Sequence, residues 1–174
     1  MRRAAMAVTI AGVLAAGCSS QVSQVSQPPP PKVADASHVD MCTILTDSEL
    51  TTLGAQASTR KSFNKAGVVG CRWQGKSYTL SMERDNSTLA GYRAHRNDPN
   101  FLNFADNTVN GRAGSHFSVD KNGSQCAQLI DGGSASLSVS VAVPRTVTPP
   151  PVDPCAEALR IAQVIEPRLP KPSQ

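Results

Sequence analysis

The chain has 174 residues, with 17 Lys and Arg against 13 Asp and Glu and a formal net charge of +4. That length suits one domain with a real core, and so small and scattered a charge excludes the basic balance of a nucleic-acid-binding protein. Its seven aromatic residues (4 Phe, 2 Tyr, 1 Trp) argue against a stacking platform for bases or sugars and against a large aromatic-lined cavity.

Arg2 and Arg3 open the chain, residues 4–16 are apolar and mostly small, and Gly17 and Cys18 follow. This is the order of a secretory signal. The run Leu14-Ala15-Ala16-Gly17-Cys18 makes it a bacterial lipobox, in which cleavage before Cys18 leaves an acylated cysteine at the new N-terminus. The apolar stretch is too short for a membrane span of about 20 residues. Two or more acyl chains, at about 0.8 kcal/mol per buried CH₂, anchor stably where one is marginal. The expected product is a lipoprotein on the extracytoplasmic face of the cell membrane. A retained anchor, or an ordinary signal with Cys18 as bystander, are the alternatives. Without Arg2 and Arg3, 15 basic residues face 13 acidic ones, a net +2.

Residues 18–38 read as the lipidated cysteine and a tether. Val-Ser-Gln recurs within 19–27 and prolines fill 28–31, a composition without the apolar periodicity needed to fold. Part flexible and part extended, it gives a reach of roughly 20–50 Å. With 1–17 as signal peptide, a single extracytoplasmic domain is expected over 39–170, and 171–174 form a tail.

Within the domain, Thr46-Asp47-Ser48-Glu49 starts a short helix carrying Leu50 and Leu53, and Gly54 stops it. A strand is expected over 58–65, a turn between Gly67 and Gly70, and paired strands over 71–74 and 78–84, where Tyr78, Leu80 and Met82 alternate with Thr79, Ser81 and Glu83. Ser87-Thr88 opens a second helix that ends before Asn97-Asp98-Pro99. After a polar loop, strands are expected over 105–109, 115–120 and 125–131, with Asn122-Gly123 as a hairpin signal and Gly111 and Gly114 as turn glycines. The clearest strand is 136–143: Leu137, Val139, Val141 and Val143 point inward, and Ser136, Ser138 and Ser140 outward. A last helix starts at Pro154 behind Asp153 as its cap, with Leu159, Ala162, Ile165 and Leu169 as its apolar stripe. The expected fold is α+β: an antiparallel sheet of about 6–7 strands with helices on one face, in the order α-β3-α-β4-α.

Four cysteines follow Cys18. In an exported chain an even number reads as a disulfide framework, and four allow three pairings. Cys42 and Cys71 are 29 positions apart, as are Cys126 and Cys155, so the local bridges Cys42–Cys71 and Cys126–Cys155 are expected. No C-x₂₋₄-C pair or suitably spaced histidine points to zinc, and no C-x-x-C points to redox exchange. No metal and no cofactor are expected.

Several segments carry a resemblance. The lipobox and Pro-rich tether, Asp40-Met41-Cys42-Thr43-Ile44-Leu45-Thr46, Gly70-Cys71-Arg72-Trp73, Val109-Asn110-Gly111-Arg112-Ala113-Gly114, Cys126 in a strand, and Asp153-Pro154-Cys155-Ala156 are similar to small Lpr-type (LprB/LprC-like) lipoproteins of mycobacteria and related actinobacteria. Those proteins share a domain of unknown function. The resemblance implies a secreted α+β domain with two disulfides held outside the cytoplasmic membrane. It brings no established activity. The layout also resembles PsbP-type and Mog1-type domains at the level of fold alone.

The search for chemistry returns little. His38 lies in the tether, His95 on a polar helix, and His116 beside Ser115; neighbouring strand residues face opposite ways, so Ser115 and His116 make a poor nucleophile and base. No G-x-S-x-G elbow or phosphate loop is present. Glu83 and Asp85 share a strand face and could act as a carboxylate pair, although exposed residues beside a turn explain them more simply. Asp120-Lys121-Asn122-Gly123 begins like a calcium loop but lacks its later ligands. Arg72-Trp73 could be an exposed recognition element; a core tryptophan beside a disulfide is the plainer reading. The expected function is therefore non-enzymatic binding of a partner protein or an envelope component such as a (glyco)lipid, with the polar face of Thr79, Ser81, Ser136, Ser138 and Ser140 as candidate surface. A small-molecule or lipid carrier or sensor, and least of all an envelope hydrolase, are the alternatives.

Overall fold

The computed structural model describes residues 35–146 and 149–171. The signal peptide, Cys18 and the tether up to residue 34 lie outside the described residues, as does most of the 171–174 tail. Contacts with the sheet already begin at Asp35, which bridges to Gly133, and at Ala36, which is fully buried and donates its N–H to the Gly132 carbonyl at 2.9 Å.

The elements are α1 (Asp47–Thr52), β1 (Lys61–Lys65), β2 (Val68–Gln74), β3 (Thr79–Asp85), α2 (Leu89–Ala94), β4 (Leu102–Val109), β5 (Arg112–Ser118), β6 (Gln125–Asp131), β7 (Ser136–Ala142) and α3 (Pro154–Ile165), with 3₁₀ turns at Ala57–Thr59 and Glu166–Arg168. The strands form one seven-stranded sheet in the order β1-β2-β3-β7-β6-β5-β4. Every neighbouring pair is antiparallel. Two meanders make it, β1 to β3 and β4 to β7. The crossing through α2 carries the chain to the far edge, so that the second meander returns and seats β7 against β3.

Helix starts are fixed by local chemistry. Thr46 and Glu49 form a reciprocal capping box on α1, and Asp153 accepts from the N–H groups of Cys155 and Ala156 with Pro154 in the first turn of α3. Thr88 caps α2 through the Gly91 N–H.

Alternation along the strands gives the sheet two different faces. On the first, Trp73, Leu80, Met82, Leu137, Val139 and Val141 meet Met41, Leu45 and Leu50 from the α1 region and Ile161 and Ile165 from α3 in the main core. Both bridges lie on this side. Cys42–Cys71 ties the segment before α1 to β2, and Cys126–Cys155 ties β6 to the first turn of α3, in the expected pairing. Arg112 closes the same end: it pairs with Glu166 at 2.8 Å, both nearly buried, and donates to the Asp131 and Pro170 carbonyls.

The expectation of helices on one face needs correction. α2 lies on the second face, where Leu89 and Tyr92 join Phe117, Ala127 and Leu129 in a separate apolar cluster. In the register Phe117 pairs with Ala127 and Ser115 with Leu129, whereas the first-face Cys126 and Ile130 pair with Val141 and Leu137. The sheet thus carries helices on both sides, α1 and α3 over the centre of the first face and α2 over the β4–β6 half of the second, while Ser62 and Asn64 of β1 stay exposed on the first.

Two glycines play other parts than expected. The β1–β2 turn is Ala66-Gly67, both at positive φ, and Gly70 sits inside β2 rather than at a turn. A Cβ at Gly70 would lie 2.3 Å from the Met82 carbonyl oxygen, so glycine here admits the close approach of β3. Gly114 likewise lies inside β5. The 58–65 strand begins only at Lys61, after the 3₁₀ turn, and β4 starts at Leu102, earlier than expected, with an irregular register between Leu102 and Ala105 and a positive φ at Asn103.

Candidate functional site

Among the described residues, no helix covers the part of the second face built by β1, β2, β3 and β7. Across these strands the register places Lys61, Arg72, Ser81 and Ser140 in one row, Phe63, Gly70, Glu83 and Ser138 in the next, and Lys65, Val68, Asp85 and Ser136 in the third. The expected solvated face of serines is sunken instead: Ser81, Ser138 and Ser140 are 6%, 7% and 8% exposed, and Ser136 is fully buried. Their short side chains lie below the longer Arg72 and Glu83 on one side and the α2 cluster on the other. The wall on the α2 side is aromatic. Phe101 stands 4.6 Å from Phe117 and 5.6 Å from Tyr92, ring centre to ring centre, and Phe104 stands 6.1 Å from Phe117. Four of the seven aromatic residues therefore gather here, from α2, the following loop, β4 and β5. Their spacing along the chain carries no period that would reveal this.

Two of the clefts among the described residues bear on the site. One, of about 320 Å³, is lined by Asp85, Ser87, Gly91, Tyr92, His95, Asp98 and Phe101. Its polar groups are mostly engaged with one another: Tyr92 donates to Asp85 at 2.5 Å, Ser87 N–H donates to the same carboxylate, and Asp98 accepts from Asn100. Burial, with the Asp85 carboxylate adding to it, pushes the Tyr92 hydroxyl well above its ordinary range. The other cleft, of about 230 Å³, is lined by Arg72, Gln74, Thr79, Ser81, Gln125, Ser140 and Ala142.

The candidate catalytic groups are not brought together. Ser115 lies on the second face and donates to Asp106 at 2.7 Å, with Arg93 Nε at 3.3 Å; His116 points to the other face, beside Asn107. Arg93 and Arg96 both pair with Asp106, and the hydrogen bonds from Arg96 and Ser115 hold that carboxyl down at about 2. Glu83 and Asp85 do share the second face, but Asp85 is taken by Tyr92 and Ser87, while burial pushes the Glu83 carboxyl above its ordinary range. Asp120 accepts from Ser124 in its own loop and from Arg145 after β7, so its carboxylate is already engaged. Trp73 is wholly buried beside Cys71, whereas Arg72 emerges on the opposite face. His95 Nδ1 meets the Gly91 carbonyl at 2.9 Å, and His38 is exposed. Among the described residues no group of three or more His, Cys, Asp or Glu could hold a metal ion, and no helix is long and apolar enough to cross a membrane.

A family model described as a protein of unknown function, DUF3558, matches residues 13–168. The chain belongs to the DUF3558 family. No curated protein and no solved structure matches it. In this DUF3558 chain the matched stretch takes in Cys18, all four bridge cysteines and the whole sheet. Sequence reasoning singled out the serines of the second face but missed Gln125 and the aromatic wall. Gln125 offered only a strand-end polar residue, with no local signal that it shares a row with Thr79 of β3 across Ala142 of β7.

Proposed function

We propose that this DUF3558 protein is an extracytoplasmic lipoprotein, anchored through Cys18, whose domain binds a partner protein or an envelope component without turning it over. The observation that carries this reading is the half of the second sheet face that no described helix covers, with a sunken serine floor between a basic edge strand and an aromatic wall. Two disulfides suit an oxidising compartment outside the cytoplasm, and a tether suits a domain that must reach. Kinship with Lpr-type lipoproteins, and a PsbP-like or Mog1-like layout of α-β3-α-β4-α, are part of the same proposal. The engaged Ser115, the separated His116 and the occupied Asp85 support binding over hydrolysis.

The test has two arms. Cells fed an alkyne palmitate should label the full-length protein, and Cys18→Ala should abolish the label. Cross-linking in intact envelopes, followed by capture of the full chain, should then return a reproducible partner. An unlabelled soluble precursor with free thiols, or repeated captures with nothing above background, would overturn the reading. The cleft beside Tyr92 favours a small-molecule carrier or sensor as a second reading, since its volume sits at the low end for ligand pockets. Native mass spectrometry of protein taken from its own envelope would expose such a ligand as added mass.

A further inference from the structure

Among the described residues, the cleft at Arg72 stands out by what it leaves unused. Arg60, Arg93, Arg96, Arg112, Arg145, Arg160 and Arg168 all sit in ion pairs. Arg84, the other described arginine without one, has its Nε buried on the first face. Arg72 is exposed on the second face and makes a hydrogen bond through Nε to Ser81 Oγ at 3.2 Å, which leaves its two terminal nitrogens without a protein acceptor among the described residues. Directly across the strand pair stands Lys61, on the same face. Like charges opposite one another in a sheet are destabilising. No carboxylate lines the cleft to offset them.

The rest of the lining is rich in donors. Gln74 Oε1 is occupied by the Thr79 hydroxyl at 3.0 Å, which turns the Gln74 amide nitrogen into a free donor. The side chains of Gln125 and Ser140 have no hydrogen-bond partner among the described residues. Glu83, the nearest acid in the register, forms no ion pair with Arg72, and its burial favours the neutral carboxyl. The cleft beside Tyr92 offers no comparable surplus, because its carboxylates are already satisfied.

We infer that the cleft formed by Arg72, Gln74, Ser81, Gln125 and Ser140, with Lys61 at its rim, binds the phosphate ester of a hydroxylated small group, either free or as a lipid headgroup. A guanidinium with two free terminal nitrogens matches a phosphate edge-on. The surrounding hydroxyls and amides match the ester's own hydroxyls. This rests on the proposed binding function and names the chemistry of its ligand.

The experiment uses the full-length protein in neutral detergent. Glycerol 3-phosphate is titrated by calorimetry with glycerol as the uncharged control, and phosphatidylglycerol is titrated in mixed micelles of the same detergent with phosphatidylcholine as control. Saturable heat with glycerol 3-phosphate assigns a free ligand, and saturable heat with phosphatidylglycerol alone assigns a headgroup. Either supports the inference if Arg72→Gln weakens it about tenfold or more, as loss of a charge-assisted contact should. Ser140→Ala should weaken it less, and Lys171→Gln, an equal loss of charge beyond α3, should leave it unchanged. Absence of both signals in the wild type overturns the inference, as does an equal loss in Arg72→Gln and Lys171→Gln. Intact disulfides and an unshifted melting curve in Arg72→Gln exclude misfolding as the cause. If envelope capture succeeds while phosphate binding is absent, only this inference falls; if capture fails while phosphate binding persists, the partner reading falls.

Discussion

Glu83 illustrates how a single residue acquires a property that its neighbours in sequence do not announce. It alternates with Leu80 and Met82 as a polar strand position should, but its carboxyl lies in the trough between Gly70 and Ser138, where burial disfavours the charged form. Arg72 relieves this partly and Asp85 adds to it. Because the folded carboxyl holds its proton more tightly than the unfolded one, the folded state keeps more protons bound than the unfolded state once pH rises past the ordinary value of 4.5. Stability contributed by this group therefore falls with rising pH through that window. Glu83→Gln, which cannot ionise, should melt at a higher temperature than wild type at neutral pH and at the same temperature below pH 4.5. Coincident melting curves at both pH values would refute this. Gly70 makes the same point through geometry. As a letter it reads as a turn, and only the Met82 carbonyl pressing on it reveals a strand position.

Among the elements, α2 is the one whose place the sequence did not disclose. Its cap at Thr88 and its end before Pro99 are local, but Leu89-Ala-Gly-Tyr92 is too short and too mixed to select a face of the sheet. Contacts made far along the chain decide it: Leu89 and Tyr92 onto Phe117 and Leu129, and Arg93 and Arg96 onto Asp106. Asp106 is the hub of that anchorage. Its depressed carboxyl contributes stability that is complete above its ordinary value of 3.8 and lost as pH falls through about 2. Asp106→Asn should raise amide hydrogen exchange in α2 at neutral pH while β3, β6 and β7 stay protected. Unchanged exchange in α2 would mean that the aromatic cluster alone holds it. By contrast, β7 was legible as a strand, since strict alternation of Leu137, Val139 and Val141 with serines admits one strand reading, although the burial of those serines was not.

At the scale of the whole molecule, the two bridges secure the helices of the first face to the sheet, one near each end of the folded chain. Each closes a loop of 29 positions, for which chain entropy gives roughly 3–4 kcal/mol. The double substitution Cys126→Ala with Cys155→Ala should therefore lower unfolding free energy by about 3 kcal/mol in urea titrations. α3 should lose protection first, because Arg112 with Glu166 would then be its main remaining polar tie. A loss below about 1 kcal/mol would show that packing of Ile161 and Ile165 carries α3 unaided.

The sequence by itself determined the helix caps, the antiparallel strands and the inward apolar rows, because capping residues and period-two alternation act over a few positions, whereas for the bridges it favoured one of three pairings and the fold selected it. Only the tertiary structure decided that α2 covers half of the second face, that the serines sink into a trough, and that Arg72 makes no ion pair among the described residues while most other arginines make one. Alternation tells a strand that it has two faces, but what covers each face depends on elements brought together from far along the chain.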